Sequence, residues 1–585
     1  MDMLNIKING REYQAPKGST VLDAAKLAGI EIPTLCYLKD INEIGACRLC
    51  LVEVAEMRGP ALGPKKMVTA CVYPVTEGME ITTSSEKITK SRKLNLELIL
   101  SNHKKECLSC VRSTSCELQK LCHDYGVDEK YFEGRKTPTS IDDSSVAIIR
   151  DNSKCILCRR CVATCKNVQD IGVIGAINRG FDTVIGTSFD KELASTTCIN
   201  CGQCIVACPV GALYERDDTD KVFAALDDSS KHVFICAAPS VRAQIGECFG
   251  YEPGTDCEGK MVAALKRLGF EGVFDMNLTA DLTIIEEATE LVGRIKNGGA
   301  LPMITSCSPG WIKYCEHYFP EFTENLSSCK SPQQMFGAVM KTYYAEKMGW
   351  DPNDIFFVSA IPCTAKKFEV GRADESAAGV PDVDVAITTR EVGRMIEKAG
   401  INFKALPDEK FDAPFDISSG AGVIFGATGG VMEAALRYAA EIILGKKLEQ
   451  VEFNDVRGPE GIRVATYDLD GTKISVAVAS GTKDAKKLLR GVQSGEYNVQ
   501  FIEIMGCPGG CVNGGGQPLQ PASVRNSVDL KKVRASVLYN DDASRDLRKS
   551  QDNAGVMKLY EEYFGEPNSH KAHEVLHTTY VKRGK

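Results

Sequence analysis

The chain carries CILCRRCVATC at residues 155–165 and CINCGQCIVACP at residues 198–209. Each stretch spaces its four cysteines as C-x2-C-x2-C-x3-C, the spacing with which thiolates hold 4Fe-4S clusters. In that arrangement, three cysteines of one stretch bind a cluster whose fourth ligand comes from the other stretch. The spacing therefore predicts one cluster on Cys155, Cys158, Cys161 and Cys208, and a second on Cys198, Cys201, Cys204 and Cys165.

Composition favours metal binding over disulfides. The 585 residues include 25 cysteines, which is an odd number, and most of them lie in tight groups separated by long stretches without cysteine. This pattern is typical of metal-binding proteins of a reducing cytoplasm. The 70 Lys and Arg against 78 Asp and Glu give a net charge of -8, too evenly mixed to predict nucleic acid or an anionic membrane as a partner. The sequence has no signal-like start and no run of about 18 apolar residues, so neither export nor a membrane span is expected.

A first cysteine group lies in a segment predicted to form a small β-rich module, with a strand through Ile6 and Ile8 and a helix over residues 21–29. Four soft thiolates on such a module suit a 2Fe-2S cluster, with a structural zinc site as the alternative. The spacing resembles that of ferredoxin-type domains of respiratory enzymes. The group consists of Cys36, Cys47, Cys50 and Cys71.

A second group can supply one imidazole and three thiolates to a metal. It consists of His103, Cys107, Cys110 and Cys116. The arrangement resembles the 4Fe-4S domain with one histidine and three cysteine ligands that follows a 2Fe-2S domain in hydrogenases and in a respiratory NADH dehydrogenase subunit. Cys122, just beyond the group, is interpreted as a packed free thiol.

The chain changes character at about residue 231, after which apolar strand candidates alternate with helical segments. Strands are predicted at residues 232–235, 356–359 and 385–388, each short and apolar as in a buried parallel sheet. The tail at residues 547–564 is predicted to be an amphipathic helix. These patterns predict a large α/β domain.

Three separated segments carry the remaining informative cysteines. They read TSCSPGW at residues 305–311, IPCTAKKFE at residues 361–369 and MGCPGGCVNGGG at residues 505–516. Small and glycine-rich neighbours allow the backbone to approach a bulky inorganic group.

Four clusters in series would form an electron-transfer chain. Two classes stay open: an enzyme with its own terminal site, or an electron-transfer subunit whose C-terminal half docks partners.

These three segments resemble the signature motifs of the [FeFe]-hydrogenases, and the resemblance extends over essentially the whole chain. It implies an H-cluster, in which a 4Fe-4S cubane is bridged through one cysteine to a diiron unit carrying CO, cyanide and a bridging dithiolate amine. It implies Cys363, Cys507 and Cys511 as cubane ligands, with Cys511 as the bridge. The implied reaction is the reversible reduction of protons to H2.

The resemblance also implies a proton relay. Cys307 would exchange protons with the bridging amine, and Glu287, Ser327 and Glu290 would carry them outward. A thiol with a reference pKa of about 8.5 can exchange protons near neutral pH, and carboxyls can pass them on. Glu287 and Glu290 lie three residues apart, which places them on one face of a helix.

Further residues are implied around the diiron unit. Lys366 would hold one cyanide, while Pro239 and Ser240 would face the other. The remaining lining residues would be Gln333, Phe425 and Met505.

Ser308 departs from the family pattern, which has the fourth cubane cysteine at this position. A serine oxygen is a harder and more basic ligand than a thiolate, which puts the binding and potential of the cubane in question. Nearby Cys315 and Cys329 are interpreted as spare core thiols. His573 and His577, four residues apart, could face one metal, but the sequence offers them no third ligand.

The predicted architecture is multidomain, with α+β accessory iron-sulfur domains followed by a large two-lobed α/β catalytic domain. A β-grasp 2Fe-2S domain spans residues 1–85, a His/Cys3 4Fe-4S domain 86–145 and a two-cluster ferredoxin-type domain 146–222. The H-cluster domain with a helical tail spans 223–585.

The predicted partners of this cytoplasmic enzyme are ferredoxin or flavodoxin as electron partner and maturation proteins for the diiron site. It could also be one subunit of a larger complex. Two alternatives remain: an electron-transfer subunit of a multimeric NAD(P)-linked complex, and a slow hydrogen-sensing hydrogenase.

Overall fold

The computed structural model describes residues 2–459 and 461–584. Its N-terminal part is a five-stranded mixed sheet in the order β2-β1-β7-β3-β6, with a separate β4-β5 hairpin and one helix. The elements are β1 (Met3–Ile8), β2 (Arg11–Pro16), α1 (Val21–Leu27), β3 (Leu51–Ala55), β4 (Met57–Arg58), β5 (Ala61–Leu62), β6 (Lys66–Thr69) and β7 (Glu80–Thr82). Ile6 and Ile8 face the core, as their alternation predicts. Thr20 and Asp23 form a capping box that starts α1.

Two helices, a three-stranded sheet and a β-hairpin follow. The helices are α2 (Glu86–Asn102) and α3 (Glu117–Asp124). A three-stranded sheet in the order β12-β9-β8 and a β10-β11 hairpin then enclose two very short helices. These elements are β8 (Ile141–Asp142), β9 (Ile148–Asp151), α4 (Arg160–Ala163), β10 (Ile174–Ile177), β11 (Val184–Thr187), α5 (Gln203–Ala207) and β12 (Leu213–Glu215).

The rest of the chain forms two lobes, each built on a four-stranded sheet. The first sheet has the order β14-β13-β16-β17 and is parallel throughout. The second has the order β15-β20-β19-β18, with only the β18-β19 pair antiparallel. The strands are β13 (His232–Ala237), β14 (Gly272–Asp275), β15 (Met303–Ile304), β16 (Ile355–Ile361), β17 (Val385–Thr388), β18 (Ile462–Leu469), β19 (Thr472–Ser480) and β20 (Phe501–Met505). The three strands predicted from sequence are confirmed as parts of β13, β16 and β17.

Helices cover both sheets and connect the lobes. They are α6 (Thr219–Leu226), α7 (Pro239–Arg242), α8 (Glu258–Arg267), α9 (Asn277–Asn297), α10 (Pro309–Tyr318), α11 (Pro332–Val339), α12 (Ala345–Met348), α13 (Lys366–Val370), α14 (Thr389–Lys398), α15 (Gly420–Ile424), α16 (Gly430–Leu444), α17 (Thr482–Ser494), α18 (Ala522–Arg525), α19 (Leu530–Ser544), α20 (Ala554–Leu559) and α21 (His570–Leu576). The long helix α9 packs against α11, α15 and α16. Most of α9 is therefore buried between the lobes.

The predicted tail helix over residues 547–564 is wrong in its first part. Helix α20 begins only at Ala554, because the Asn553 side chain caps it by accepting from the amides of Gly555 and Val556. Residues 550–552 form a single 3-10 turn, and the helix continues as a π-turn over 560–564. In the described part of the chain, no helix is long and apolar enough to cross a membrane.

Candidate functional site

The first cysteine group converges in the N-terminal domain. The Sγ atoms of Cys50 and Cys71 lie 3.3 Å apart, and the amide of Cys47 donates to Cys36 Sγ over 3.5 Å. A hydrogen bond between the thiols and then burial raise the pKa of Cys71, with further smaller effects of Cys36 and Cys47. Four thiols this close suit a metal cluster, because bound iron deprotonates thiols and supplies the missing positive charge.

The second group lies near the surface. His103 is buried, and its Nδ1 makes no hydrogen bond to any described residue, so this nitrogen is free to bind a metal. Cys107 is exposed, and Cys110 and Cys116 are half-buried. Cys122, predicted to be a packed thiol, lies close enough that Cys116 and Cys107 contribute, after burial, to raising its pKa to about 11.

The two cysteine stretches cross as their spacing predicts. One cavity is lined by Cys155, Cys158 and Cys161 of the first stretch together with Cys208 of the second. A separate cavity is lined by Cys198, Cys201 and Cys204 of the second together with Cys165 of the first. Each cavity thus offers four thiols, which is the ligand set of a 4Fe-4S cluster.

The group of Cys36 and the group of Cys116 are the two outer cysteine groups, and both approach the cavity of Cys158 and Cys208. This arrangement differs from four clusters in a single series. Asn42 Nδ2 donates to the carbonyls of both Cys36 and Cys158, over 2.7 and 3.1 Å. On the other side, Cys116 Sγ donates to the Pro209 carbonyl over 3.9 Å, next to Cys208. The protein contacts therefore describe two branches that meet at the cavity of Cys158 and Cys208. The order of the cysteine groups along the chain suggested clusters in a single line, because sequence order carries no information about branching of an electron path.

The cysteines of the C-terminal half meet at the ends of strands from both lobes. Cys363 follows β16, while Cys507 and Cys511 follow β20. Burial raises the pKa of all three thiols, and the Cys363 thiol adds to this effect at Cys507 and at Cys511. Cys201 also raises the pKa of Cys507, so thiols of the accessory and C-terminal groups lie within electrostatic range of each other.

Ser308 lies at the same junction as the N-cap of α10. Its Oγ accepts a hydrogen bond of 3.0 Å from the Gly506 amide, next to Cys507. The serine oxygen thus lies at the base of the loop that carries Cys507 and Cys511.

Glycines allow the loop after β20 to pack against other backbone. A Cβ on Gly514 would lie 2.2 Å from the Pro362 carbonyl oxygen, and one on Gly515 would lie 2.2 Å from the Cys201 carbonyl oxygen. Neither position can therefore hold a side chain without displacing backbone. The loop is pressed between the Cys363 segment and the accessory domain.

Three hydrogen bonds join the two-cluster domain to the C-terminal loops. Gln169 Nε2 donates to the Gly506 carbonyl over 2.9 Å, and Gln203 Nε2 donates to the Asn513 carbonyl over 2.7 Å. Thr364 Oγ1 donates to the Asn200 carbonyl over 2.7 Å. The cavity of Cys201 is thus connected by short protein contacts to the cysteines of the C-terminal half.

Two residues of the predicted relay, Glu287 and Glu290, lie on α9, and the other two, Cys307 and Ser327, come from later segments. Ser327 Oγ donates to Glu290 Oε2 over 3.0 Å, and Arg294 pairs with Glu290 Oε1 over 2.6 Å. Both oxygens of Glu287 are buried without a hydrogen-bond partner among the described residues. Burial and then the Glu290 carboxyl raise the pKa of Glu287 to about 8. Burial and then Glu287 also raise the pKa of the Cys307 thiol, which indicates that these two groups are neighbours.

Lys366 lies beside Cys307. Its Nζ donates to the Cys307 carbonyl over 3.1 Å and to Glu369 Oε2 over 2.9 Å. Gln333 Nε2 donates to the same Glu369 oxygen over 2.6 Å, which leaves the buried Gln333 Oε1 without a partner among the described residues. Lys366 and Gln333 are thus held together by one carboxylate.

The remaining predicted lining residues come together around Cys307. Phe425 and Met505 are buried in one apolar cluster against which Cys307 packs. Pro239 and Ser240 begin α7, and Ser240 Cβ would lie 3.1 Å from a Cβ on Gly426, the residue after Phe425. The Ser240 hydroxyl is fully buried with no partner among the described residues, so it can donate to an anionic ligand.

Three charged residues of the site are missing from the sequence prediction. Glu369 anchors Lys366, Arg294 neutralises Glu290, and burial raises the pKa of Glu503 on β20 to about 7. Glu369 could have been suspected, because it ends the IPCTAKKFE segment three residues after Lys366. Arg294 stands four residues after Glu290 and had the same helical signal, whereas Glu503 had none.

Known families match the chain almost from end to end. The iron only hydrogenase large subunit, C-terminal domain, matches residues 231–515, and the iron hydrogenase small subunit matches residues 528–583. A 2Fe-2S iron-sulfur cluster binding domain matches residues 1–86. The iron-sulfur binding region of NADH-ubiquinone oxidoreductase-G matches residues 92–130, and the ferredoxin-like domain of NADH-quinone oxidoreductase subunit 3 matches residues 145–214.

Whole proteins and a solved structure agree with these matches. The chain is 46% identical to the NADP-reducing hydrogenase subunit HndD of Solidesulfovibrio fructosivorans, over 100% of both chains. It is 44% identical to iron hydrogenase 1 of Clostridium pasteurianum, over 99% of this chain and 100% of that one. A structure of apo [FeFe]-hydrogenase HydA1 from Chlamydomonas reinhardtii covers 63% of this chain and 100% of its own, with 40% identity and a TM-score of 0.56. The thiol cavities, the cysteine loops between two lobes and these similarities together show that the chain belongs to the iron-only, or [FeFe], hydrogenases.

Proposed function

We propose that this hydrogenase reversibly reduces protons to H2 at an H-cluster held between the lobes, with electrons passing through four accessory clusters. The observation that carries the proposal is the convergence of Cys363, Cys507 and Cys511 beside both Cys201 and Cys307. One side of this junction leads to accessory thiols and the other to buried acids. Electrons and protons can thus reach the same point by separate routes.

The H-cluster, when bound, supplies the metal centre at which two protons and two electrons combine into H2. Cys363, Cys507 and Cys511 would bind its cubane, and Ser308 would offer an oxygen or leave one position open. Lys366 would donate a hydrogen bond to one cyanide. Ser240, beside Pro239, would donate to the other through its unpartnered hydroxyl.

The chain's own residues would move the proton. The Cys307 thiol would donate a proton inward and be reprotonated from Glu287. Glu287 would be reprotonated through Ser327 from Glu290, which is paired with Arg294. Burial of Glu287 excludes water and keeps the carboxyl neutral until it exchanges its proton.

We infer four structural units with boundaries at 1–85, 86–145, 146–222 and 223–585. The accessory ligands would be the four cysteine-containing groups described above, with one 2Fe-2S and three 4Fe-4S clusters. Maturation proteins would insert the diiron unit.

The proposed electron partner is ferredoxin or flavodoxin, which would dock near one of the two outer groups. A second candidate is favoured by the similarity to HndD over both full lengths: the chain would then be one subunit of an NADP-linked complex. Purified chain that reduces ferredoxin with H2 by itself would support the first. Reduction of NADP+ only after addition of further subunits would support the second.

Matured protein is expected to bind roughly 20 iron atoms per chain, because the proposed clusters require that number. Iron and sulfide analysis would measure the content, and infrared spectroscopy would detect bands from CO and cyanide. A fully matured preparation that saturates near about fourteen irons without such bands would contradict the H-cluster and favour an electron-transfer subunit.

The rate of H2 evolution is expected to fall as pH rises through about 8. The reason is that the raised pKa of Glu287 keeps this carboxyl protonated below that pH and deprotonated above it. Rates measured from about pH 6 to about pH 10 would reveal this fall, the alkaline limb of the pH profile. Glu287→Gln should slow turnover and should abolish the alkaline limb. Asp281→Asn is the matched control, since Asp281 is another fully buried carboxyl of α9 with a raised pKa, and it accepts hydrogen bonds from Ser419, Ser550 and Asn553 outside the relay. A limb that persists in Glu287→Gln would remove Glu287 from the relay.

A further inference from the structure

A second cluster of metal-binding side chains lies at the outer end of the relay. His573 and His577 were a metal-site candidate without a third ligand. The rings of these two histidines lie 4.0 Å apart, with His573 exposed and the His577 side chain only 5% exposed. The structure supplies the further metal ligands that the sequence did not offer, because Cys329 and Glu290 lie beside His577.

Backbone pairing holds this cluster together. Cys329 and His577 form an antiparallel bridge, flanked by hydrogen bonds of 2.8 Å from Lys330 N to Leu576 O and from Thr578 N to Ser328 O. The C-terminal segment is thus fixed against the segment that follows Ser327.

The ligand atoms of Glu290, Cys329 and His577 all lie within 4.8 Å of one another. Cys329 Sγ lies 3.8 Å from Glu290 Oε2. Zinc binds sulfur at about 2.3 Å and nitrogen or oxygen at about 2.0 to 2.2 Å, so ligand atoms around it lie roughly 3.3 to 3.8 Å apart. The cluster therefore needs only a small contraction to surround one ion.

The second shell also suits a metal. His577 Nε2 shares a hydrogen bond of 3.0 Å with Glu286 Oε2, and His577 Nδ1 shares one of 2.8 Å with Ser328 Oγ. Whichever nitrogen binds the ion, the other keeps a hydrogen bond that orients the ring, as in carboxylate–histidine–zinc sites. Glu286 and Glu290 bring two carboxyl groups to the cluster, whereas Arg294, which pairs with Glu290, brings one positive charge. This excess of acidic groups favours a cation.

The Cys329 thiol is fully buried among carboxyl groups. Burial and then the carboxyls of Glu290, Glu287 and Glu286 raise the pKa of the Cys329 thiol, so it is protonated without a cation and would release that proton on binding one.

We propose that Glu290, Cys329 and His577 form a site for a soft divalent cation of the zinc class, with water as the fourth ligand. The ligand set of one sulfur, one nitrogen and one oxygen matches the preferences of zinc. Occupation would tie up the Glu290 carboxylate and so block proton transfer, a consequence that rests on the proposed relay. The site would make zinc a reversible inhibitor of H2 turnover.

The test uses the matured full-length enzyme with Zn2+ as the probe. Bound zinc is measured by elemental analysis after removal of free metal, with the iron content checked in the same samples. X-ray absorption at the zinc edge identifies the ligands without interference from iron. H2 turnover is followed in parallel.

We expect one additional zinc per chain with a single sulfur ligand, and a loss of turnover of roughly 100-fold that a chelator reverses. Cys329→Ala and His577→Gln should both lose this zinc and the inhibition. Cys315→Ala is the matched control, since Cys315 is also a fully buried thiol, and it should retain both.

Zinc content and sulfur coordination that are unchanged in both Cys329→Ala and His577→Gln would overturn the site. Zinc bound through one sulfur without loss of turnover would uphold the site, but it would contradict proton transfer through Glu290. The two failures can thus be told apart. If Cys329→Ala does not fold, Cys329→Ser provides the same test, since it keeps the size but replaces the soft ligand by a hard one.

Discussion

Cys307→Ala is expected to lower H2 turnover by roughly 100- to 10,000-fold while the accessory clusters keep their iron. In the proposed relay Cys307 connects Glu287 to the metal site, and it is not among the thiols that line either accessory cavity. Alanine removes the exchangeable proton and leaves an apolar side chain in an apolar cluster. Turnover, iron content and the EPR spectra of the clusters would be measured on one preparation.

Two comparisons make the Cys307 experiment decisive. Cys315→Ala removes another buried thiol and should leave turnover almost unchanged. Cys307→Asp would restore an exchangeable proton and should recover part of the activity, which a purely structural role would not allow. Wild-type turnover in Cys307→Ala would exclude the relay role. Loss of the cubane signal in the same variant would mean that Cys307 binds the cubane in place of Ser308.

Ser308→Cys is expected to raise both the occupancy of the catalytic cubane and the rate of H2 turnover. Three thiolates with an oxygen or an open position hold iron less firmly than four thiolates, because the soft sulfur ligand suits the cluster better. Ser308 Oγ lies at the base of the loop of Cys507, so a thiol at this position can reach the site. Iron content, cubane potential and EPR spectrum would report the change, with the accessory clusters unaffected.

Ser308→Ala separates a weak ligand from an absent one. If the serine oxygen binds iron, alanine should lower cubane occupancy further. If it only accepts the Gly506 hydrogen bond, alanine should leave occupancy near that of the wild type. Should neither Ser308→Cys nor Ser308→Ala alter occupancy, spectrum or activity, position 308 does not contact the cluster. A strong rise in turnover with Ser308→Cys would favour the alternative in which the natural chain is a slow, hydrogen-sensing hydrogenase.

The sequence predicts local spacing well and long-range contacts poorly. Cysteine groups and buried strands such as β16 were predictable, because their ligands or apolar residues follow one another along a short stretch. The C-terminal site could be assembled only through a family resemblance, since Cys363 and Cys511 belong to segments far apart in the chain. No periodic pattern connects them before the two lobes fold.

Cys329 illustrates the same limit. In the sequence it is a single thiol between Ser328 and Lys330, outside any cysteine motif, and packing is the ordinary interpretation. Its neighbours Glu290 and His577 come from α9 and from the last residues of the chain, brought together by a backbone bridge. The tail helix was placed too early for a related reason, because the cap at Asn553 outweighs the helical pattern before it.

The contact between Gly515 and the Cys201 carbonyl bears on whether the protein can be divided. The proposed boundary after residue 222 suggests a convenient point to cut the chain into an electron-transfer half and a catalytic half. A fragment without the first half would expose the backbone of Gly515 and would leave the carbonyls of Gly506 and Asn513 without their glutamine donors. The two halves are joined by a close backbone interface. A catalytic fragment that works alone would therefore need different surface residues in place of the accessory domain.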